Sequence, residues 1–306
     1  MNPATSTINS MSNRSTPLVS IGLPVYNGEA YLCDAINSLL AQTFSDFELI
    51  ISDNASTDRT EEICRDYAER DSRICYFRSE ENHGAAWNFN NAFELAHGKY
   101  FKWVAHDDRH EPEFIAKCVA ILEQNSSIVL CFTGTDFIDS EGRSLGEDKF
   151  PVDVSTASRR ELFRFFATSG HIVHEIFGII RSDALRHSPL IGSYVGSDLV
   201  LLGTLALQGH FHQIHELLFL HREHAQRSAI VTGGSEGFTQ WYDSSKSGKF
   251  AMPYWRRIFE NMKSVARAPI GVQEKLLCWL DICRAANWNR RALWEDIVHV
   301  IRRNKP

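Results

Sequence analysis

An alternation of two hydrophobic periods through residues 18–124 constrains this chain more than any other feature. Leu18 to Pro24 is an apolar run of strand length, and Glu29 to Gln42 then places Ala30, Leu32, Cys33, Ile36, Leu39 and Leu40 at helical spacing. Phe47 to Ser52 repeats the strand, and Asp58 to Arg70 repeats the helix. Ile74 to Arg78, Ala85 to His97, Tyr100 to Ala105 and Glu111 to Gln124 continue the series, with His97-Gly98 a helix stop. Alternating units of this length predict an α/β fold whose mostly parallel sheet is covered by helices on both faces.

The pattern changes after Ile128. Ile128 to Phe137, the turn Asp139-Ser140-Glu141-Gly142 and a return strand predict a hairpin, which makes the sheet mixed. Arg159 to Thr168 reads as a helix, Ile172 to Arg181 as a strand, Asp198 to Gln208 as a helix and Phe211 to Arg222 as a strand. Three segments follow. Residues 1–17 form a Ser/Thr/Asn-rich disordered leader, 18–228 the catalytic domain (a nucleotide-binding half to about 125 and an acceptor half beyond), and 229–306 a helical extension.

Composition narrows the function classes. A formal net charge of -6 gives no general attraction for nucleic acid, which calls for a basic surface. The seven cysteines are scattered singly, without zinc-type pairs, and read as reduced thiols in a cytoplasmic protein. The leader lacks a basic start and an apolar stretch, so no signal peptide is expected. No run approaches the roughly 18 apolar residues of a membrane span, which leaves peripheral contact, for instance at the inner face of a membrane.

In an open α/β sheet, ligands collect beyond the carboxyl ends of the strands. The first such loop, Pro24-Val25-Tyr26-Asn27-Gly28-Glu29, joins a rigid proline to an aromatic face and can cradle a flat base, or is an ordinary strand-to-helix turn. The second, Ser52 to Asp58, holds more polar groups than the helix cap from Thr57 or Asp58 requires. The fourth strand ends in His106-Asp107-Asp108-Arg109, where repulsion between neighbouring carboxylates is relieved by a hard divalent cation or by capping the next helix.

These three loops, in this order, resemble the family 2 glycosyltransferases, from about Val19 through Phe132 and again around Gly178 and from Gly196 to Ser228. Pro24, Tyr26 and Asn27 match the family's Pro-x-Tyr-Asn opening. Asp53-Asn54-Ala55-Ser56-Thr57-Asp58 stands where Asp-Asp-Gly-Ser-x-Asp is usual. The Asp-x-Asp signature falls on Ala105-His106-Asp107, so its second acid is present and its first is absent.

The resemblance implies a GT-A-type domain and inverting transfer of a sugar from a nucleotide diphosphate to an acceptor hydroxyl, glycan or lipid-linked, in cell-surface polysaccharide or glycoconjugate synthesis. Pro24, Tyr26, Asn27, Glu29, Asp53, Asn54, Asn82, Gly84, Asn88 and His106 would hold the nucleotide, UDP being the first guess. Asp107 would hold Mg²⁺ or Mn²⁺, with Asp108 or His106 compensating for the missing acid. Arg222 and His224 would lie near the diphosphate or the acceptor.

Asp198 matches the family's acid before an apolar helix and is the candidate general base; its alternative is a helix N-cap. His171-Ile172-Val173-His174-Glu175 fits neither helical zinc motif. The competing functions are a sugar-nucleotide pyrophosphorylase, which lacks its glycine-rich basic loop here, and an inactive sugar-binding or scaffold protein, suggested by Ala105. The tail's aromatic and basic residues, among them Trp241, Trp255 and Trp288, serve an acceptor, a partner subunit, a membrane surface or simple packing.

Overall fold

The computed structural model describes residues 16–169, 171, 173–225, 241–244 and 252–303. The disordered-leader expectation for residues 1–15, the Gly/Ser loop after Arg227, and Gln226, Arg227 and Ser228 lie outside the described residues.

Nine strands form one sheet: β1 (Val19–Val25), β2 (Phe47–Asp53), β3 (Ile74–Arg78), β4 (Tyr100–Trp103), β5 (Arg109–His110), β6 (Ile128–Ile138), β7 (Ser144–Asp148), β8 (Ile179–Arg181) and β9 (His210–Arg222). Their order is β3-β2-β1-β4-β8-β6-β9-β5, with β7 paired to β6. The β3-β2-β1-β4 half is parallel, β8 runs antiparallel to both β4 and β6, and β6 is parallel to β9. The β6–β7 hairpin is antiparallel, as its turn residues require.

Every residue of β1 and of β2 is buried, the signature of strands covered on both faces. On one face, Val19, Ile21 and Leu23 pack with Leu32, Ile36 and Leu39 of α1 (Leu32–Leu40), Cys64 of α2 (Thr60–Arg70) and Phe114, Cys118 and Leu122 of α4 (Phe114–Gln124). On the other, Phe101 and Trp103 pack with Phe93 of α3 (Ala85–Glu94), Leu162 and Phe166 of α5 (Arg159–Thr168), Leu185 of α6 (Ser182–Arg186) and Leu201 and Leu205 of α7 (Ser197–Gln208). Gly22 makes the second face possible, because a Cβ there would lie 2.6 Å from the Phe101 ring.

Among the described residues, three long helices follow: α8 (Pro253–Arg267), α9 (Val272–Trp288) and α10 (Arg290–Arg303). A third apolar cluster joins Val265, Ala268, Cys278 and Ile282 of this region to Phe163 and Leu207 of α5 and α7. Arg160 adds a two-bonded ion pair to buried Asp281 at 2.8 and 3.1 Å. No described helix is long and apolar enough to cross a membrane.

One expected element differs. The segment read as a strand from Ile172 to Arg181 is a 3₁₀ turn over Glu175–Phe177 followed by the short β8. Tertiary contacts shape the segment: His174 Nδ1 meets Asp148 Oδ2 at 2.8 Å, and position 178 accepts only glycine, since a Cβ there would lie 2.6 Å from Cys131 O. The sequence also gives no sign of the two-residue β5, which is too short to show a period.

Candidate active site

Parallel register puts the ends of β1 and β2 side by side, with Pro24 beside Ser52 and Val25 beside Asp53. Their loops brace each other. Asn27 N donates to Ser56 Oγ (2.9 Å) and Thr57 N donates to Asn27 Oδ1 (2.8 Å), while Gly28 N donates to Thr60 Oγ1 (2.9 Å). Glu29 accepts from Arg59 N (3.0 Å) at the start of α2, and Asp58 accepts from Glu29 N (3.0 Å). Asn27 and Ala55 take positive φ of 54° and 62° to make these turns. Tyr26, 45% exposed at the mouth, is left with its ring open to a ligand.

Behind this rim lies a buried amide layer. Asp53 accepts from Ser56 N (2.8 Å) and from the Tyr76 hydroxyl (2.7 Å). Asn54 donates to Asn82 Oδ1 (2.9 Å) and Gly84 O (3.2 Å) and accepts from His83 N (3.0 Å). Asn88 accepts from Ser52 Oγ (2.6 Å) and donates to Val25 O (3.1 Å). Asp53, Asn54 and Asn88 therefore shape the strand ends from within, all at most 3% exposed. Asn82, His83, Trp87, Asn90 and Tyr242 line a cavity of about 550 Å³ beside them. The larger cavity, about 910 Å³ between α5 and α9, receives nothing from the strand-end loops.

The loop after β4 completes the rim. His106 packs on Gly28, where a Cβ would meet His106 Cδ2 at 2.7 Å. Asp107 Oδ2 lies 2.9 Å from His224 Nε2, and the His224 ring lies 4.8 Å from that of Tyr31. Burial pushes the Asp107 carboxyl up, but the neighbouring His106 and His224 outweigh it and hold the group below the usual carboxylate range.

Asp108 turns inward, fully buried, accepting from Arg222 N (2.9 Å) and facing His221 Nδ1 at 3.0 Å. The Arg222 guanidinium, which the sequence reading put near the diphosphate or acceptor, is held instead by Asp34 (2.5 Å) and by the carbonyls of Asp107 (2.9 Å), Asp139 and Ser140 (both 3.1 Å). It braces the loop that carries Asp107.

Asp198 stands in the first turn of α7, after Gly196 at φ 82°. Its Oδ1 accepts from Leu199 N (2.8 Å), and the pattern of a side-chain N-cap is absent. Burial raises the Asp198 pKa, opposed by the Leu199 hydrogen bond and by Arg257, and reinforced by Glu175.

Two histidines lie behind Asp108. Asp108 faces His221, and the His221 ring lies 4.7 Å from that of His174 between ring centres. Sequence reading weighed His174 and Glu175 only as a zinc motif. The β6–β9 pairing brings His221 to them.

The donor set suits a hard cation in part. Among the described residues no group of three or more His, Cys, Asp or Glu side chains is placed to hold a metal. Ionised Asp107 with His224 supplies two donors. Mg²⁺ and Mn²⁺ routinely take their remaining ligands from water and substrate phosphate, so the residues present fit that use.

Comparison with known proteins agrees with this architecture. The family model described as "Glycosyl transferase family 2" matches residues 20–188, more than half of the chain. An uncharacterized glycosyltransferase of Rickettsia typhi is 39% identical over 134 residues, covering 44% of this chain and 41% of that protein. The putative teichuronic acid biosynthesis glycosyltransferase TuaG of Bacillus subtilis is 37% identical over 134 residues, 44% of this chain and 52% of TuaG. The match thus spans about half or less of the length of these curated relatives.

Among solved structures, residues 1–349 of S. aureus TarS in complex with UDP superpose with a TM-score of 0.63 at 16% identity, covering 88% of this chain and 71% of that one. A mannosyltransferase from Pyrobaculum calidifontis in complex with GDP-Man and Mn²⁺ gives 0.53 at 15% identity, covering 98% and 94%. At such identities the likeness shows the fold, which is of GT-A type.

Proposed function

Since the chain belongs to glycosyl transferase family 2, we propose that it transfers a sugar from a nucleotide diphosphate to an acceptor hydroxyl with inversion at the anomeric carbon. The observation that carries this reading is the meeting of Asp107 and His224 at the same end of the sheet as the braced Tyr26 and Asn54 loops. The Tyr26 ring lies against the base, and the Asp53–Asn54–Asn82 layer sets the edge the base meets.

Asp107 and His224 are the groups that would hold the divalent cation, which when bound neutralises charge developing on the departing diphosphate. His106 and His224 together outweigh burial and favour the anionic form of Asp107. The Asp198 carboxylate takes the acceptor proton as the acceptor oxygen bonds to the anomeric carbon and the glycosyl phosphate bond breaks. A general base of this kind contributes about 10²- to 10⁴-fold in rate. Burial of Asp198 supports the role, because a raised pKa makes the carboxylate a stronger base.

UDP is the donor nucleotide we place first, in view of the TarS complex with UDP, and a cell-surface polysaccharide or glycoconjugate is the product class, in view of TuaG. The acceptor half and the helical extension would receive a glycan or lipid-linked acceptor. Incubating the protein with UDP-, GDP- and dTDP-sugars and Mn²⁺, with and without saccharide acceptors, tests the reading. Release of nucleoside diphosphate that depends on one donor supports it. Binding without turnover of any donor would instead favour an inactive sugar-binding protein, the reading that Ala105 keeps open.

A further inference from the structure

We propose that Arg257, carried by α8, is a positioning residue for the Asp198 carboxylate, so that the C-terminal extension completes the reaction centre. This rests on the reading of Asp198 as the base.

The geometry begins with two helices in step. At the start of α7, a Cβ on Gly196 would lie 2.9 Å from Arg257 Cδ and 3.2 Å from its Nε. Further along, the buried hydroxyls of Thr204 and Ser264 hydrogen-bond at 2.7 Å. Gly196 to Thr204 and Arg257 to Ser264 are nearly equal intervals, about 11 Å of helix rise. α7 and α8 therefore run parallel, and the cluster of Leu207 and Val265 holds the pair together beyond Thr204. This register delivers Arg257 to the N-terminal end of α7, where Asp198 stands.

Gly196 is required twice over. Its φ of 82° is left-handed, and any side chain would displace Arg257. Among the described residues, the guanidinium makes one hydrogen bond, from Nη2 to Ser169 O at 3.2 Å. Arg256 next to it points elsewhere, to Glu260 (2.9 Å) and over the Tyr194 ring at 5.7 Å. A cation packed on Gly196, two residues before Asp198, opposes the effect of burial and favours the ionised base.

Among the described residues, three other titratable groups bear on this centre. The 3₁₀ turn brings Glu175, which disfavours ionisation of Asp198 and is itself faced by His171 at 3.4 Å. Tyr194 and Tyr242 are buried with pKa values pushed well above the ordinary phenol range, so neither carries charge near neutrality. Among the described residues, Arg257 is the cation placed at this end of α7 that favours the Asp198 carboxylate.

The test is the pH profile of sugar transfer for Arg257→Gln, Arg257→Lys and Asp198→Asn, with donor affinity and Tm measured in parallel. The account expects the acid limb of the Gln variant to move up by about one pH unit, a rate loss of about tenfold on that limb, with donor affinity retained. Lys should restore the limb toward its original place. An unmoved limb in the Gln variant, or equal loss at all pH in both Gln and Lys variants with lowered Tm, overturns the proposal. Asp198→Asn separates the two readings: full turnover there removes the base itself, whereas collapsed turnover with an unmoved Gln limb removes Arg257 alone.

Discussion

His224 Nε2 meets Asp107 Oδ2 at 2.9 Å across 117 residues of chain. The contact follows from strand register. β9 pairs antiparallel with β5, Leu220 against Arg109 and Phe219 against His110, so the end of β9 returns past the loop that closes β4. Asp108 then fastens that return by accepting from Arg222 N. The chain thus carries a carboxylate and an imidazole on two segments locked together below them.

That pairing sets the first prediction. Asp107→Asn and His224→Ala should each raise the Mn²⁺ concentration needed for half-maximal transfer by about tenfold or more, with the fold intact by circular dichroism. A metal titration identical to that of the parent protein would exclude both residues from the cation.

Tyr26 offers a direct readout of the nucleotide. Loss of one stacking surface costs roughly 1–3 kcal/mol, so Tyr26→Ala should weaken UDP binding about tenfold in calorimetry and leave Tm nearly unchanged, since the ring is 45% exposed. Equal affinities would place the base elsewhere.

Lys102 is buried in the sheet, its Nζ donating to Phe177 O and lying 4.0 Å from the Phe114 ring centre. Burial lowers its pKa from 10.5 to about 7. Between those values the unfolded chain binds the extra proton, so this group makes stability rise with pH across the window and lowers it fully below pH 7. Lys102→Met should therefore stabilise the protein at pH 6–7 by roughly 1–3 kcal/mol, an advantage that shrinks as pH approaches 10. Urea denaturation over that range measures it; a gain independent of pH contradicts the assignment.

Gly84 takes a φ of 89°, and a Cβ there would lie 2.6 Å from Tyr242 O. Gly84→Ala should accordingly disturb the Asn54–Gly84 contact and weaken nucleotide binding more than it lowers Tm. The reverse ranking, read from calorimetry and thermal melts, would make this segment purely structural.

Much of the framework was legible because local period and burial agree. The runs at Val19, Phe47 and Tyr100 are strands buried on both faces, the run at Ile74 is the half-exposed edge beside them, and the helices between them carry apolar stripes facing the sheet. What escaped depends on distant partners. Ile172 to Arg181 is apolar enough to read as a strand, but His174 pairs with Asp148 beside a 3₁₀ turn. The basic, imidazole-rich stretch from His221 to Ser228 reads as lying near the diphosphate or acceptor; within it Arg222 is held by Asp34 and loop carbonyls, and His224 faces Asp107. Nothing local distinguishes Arg257 from Arg256; only the parallel docking of α8 on α7 does.

The central claim is that Asp198 and the Asp107–His224 pair serve one reaction from two sides. Paired measurement of donor affinity and transfer rate for Asp198→Asn tests it most directly, because a base acts in the transition state and contributes little to donor binding. The account predicts donor affinity within about twofold of the parent protein and turnover reduced by about 10²-fold or more. Near-normal transfer by Asp198→Asn, or a loss of donor affinity as large as the loss of rate, would contradict it.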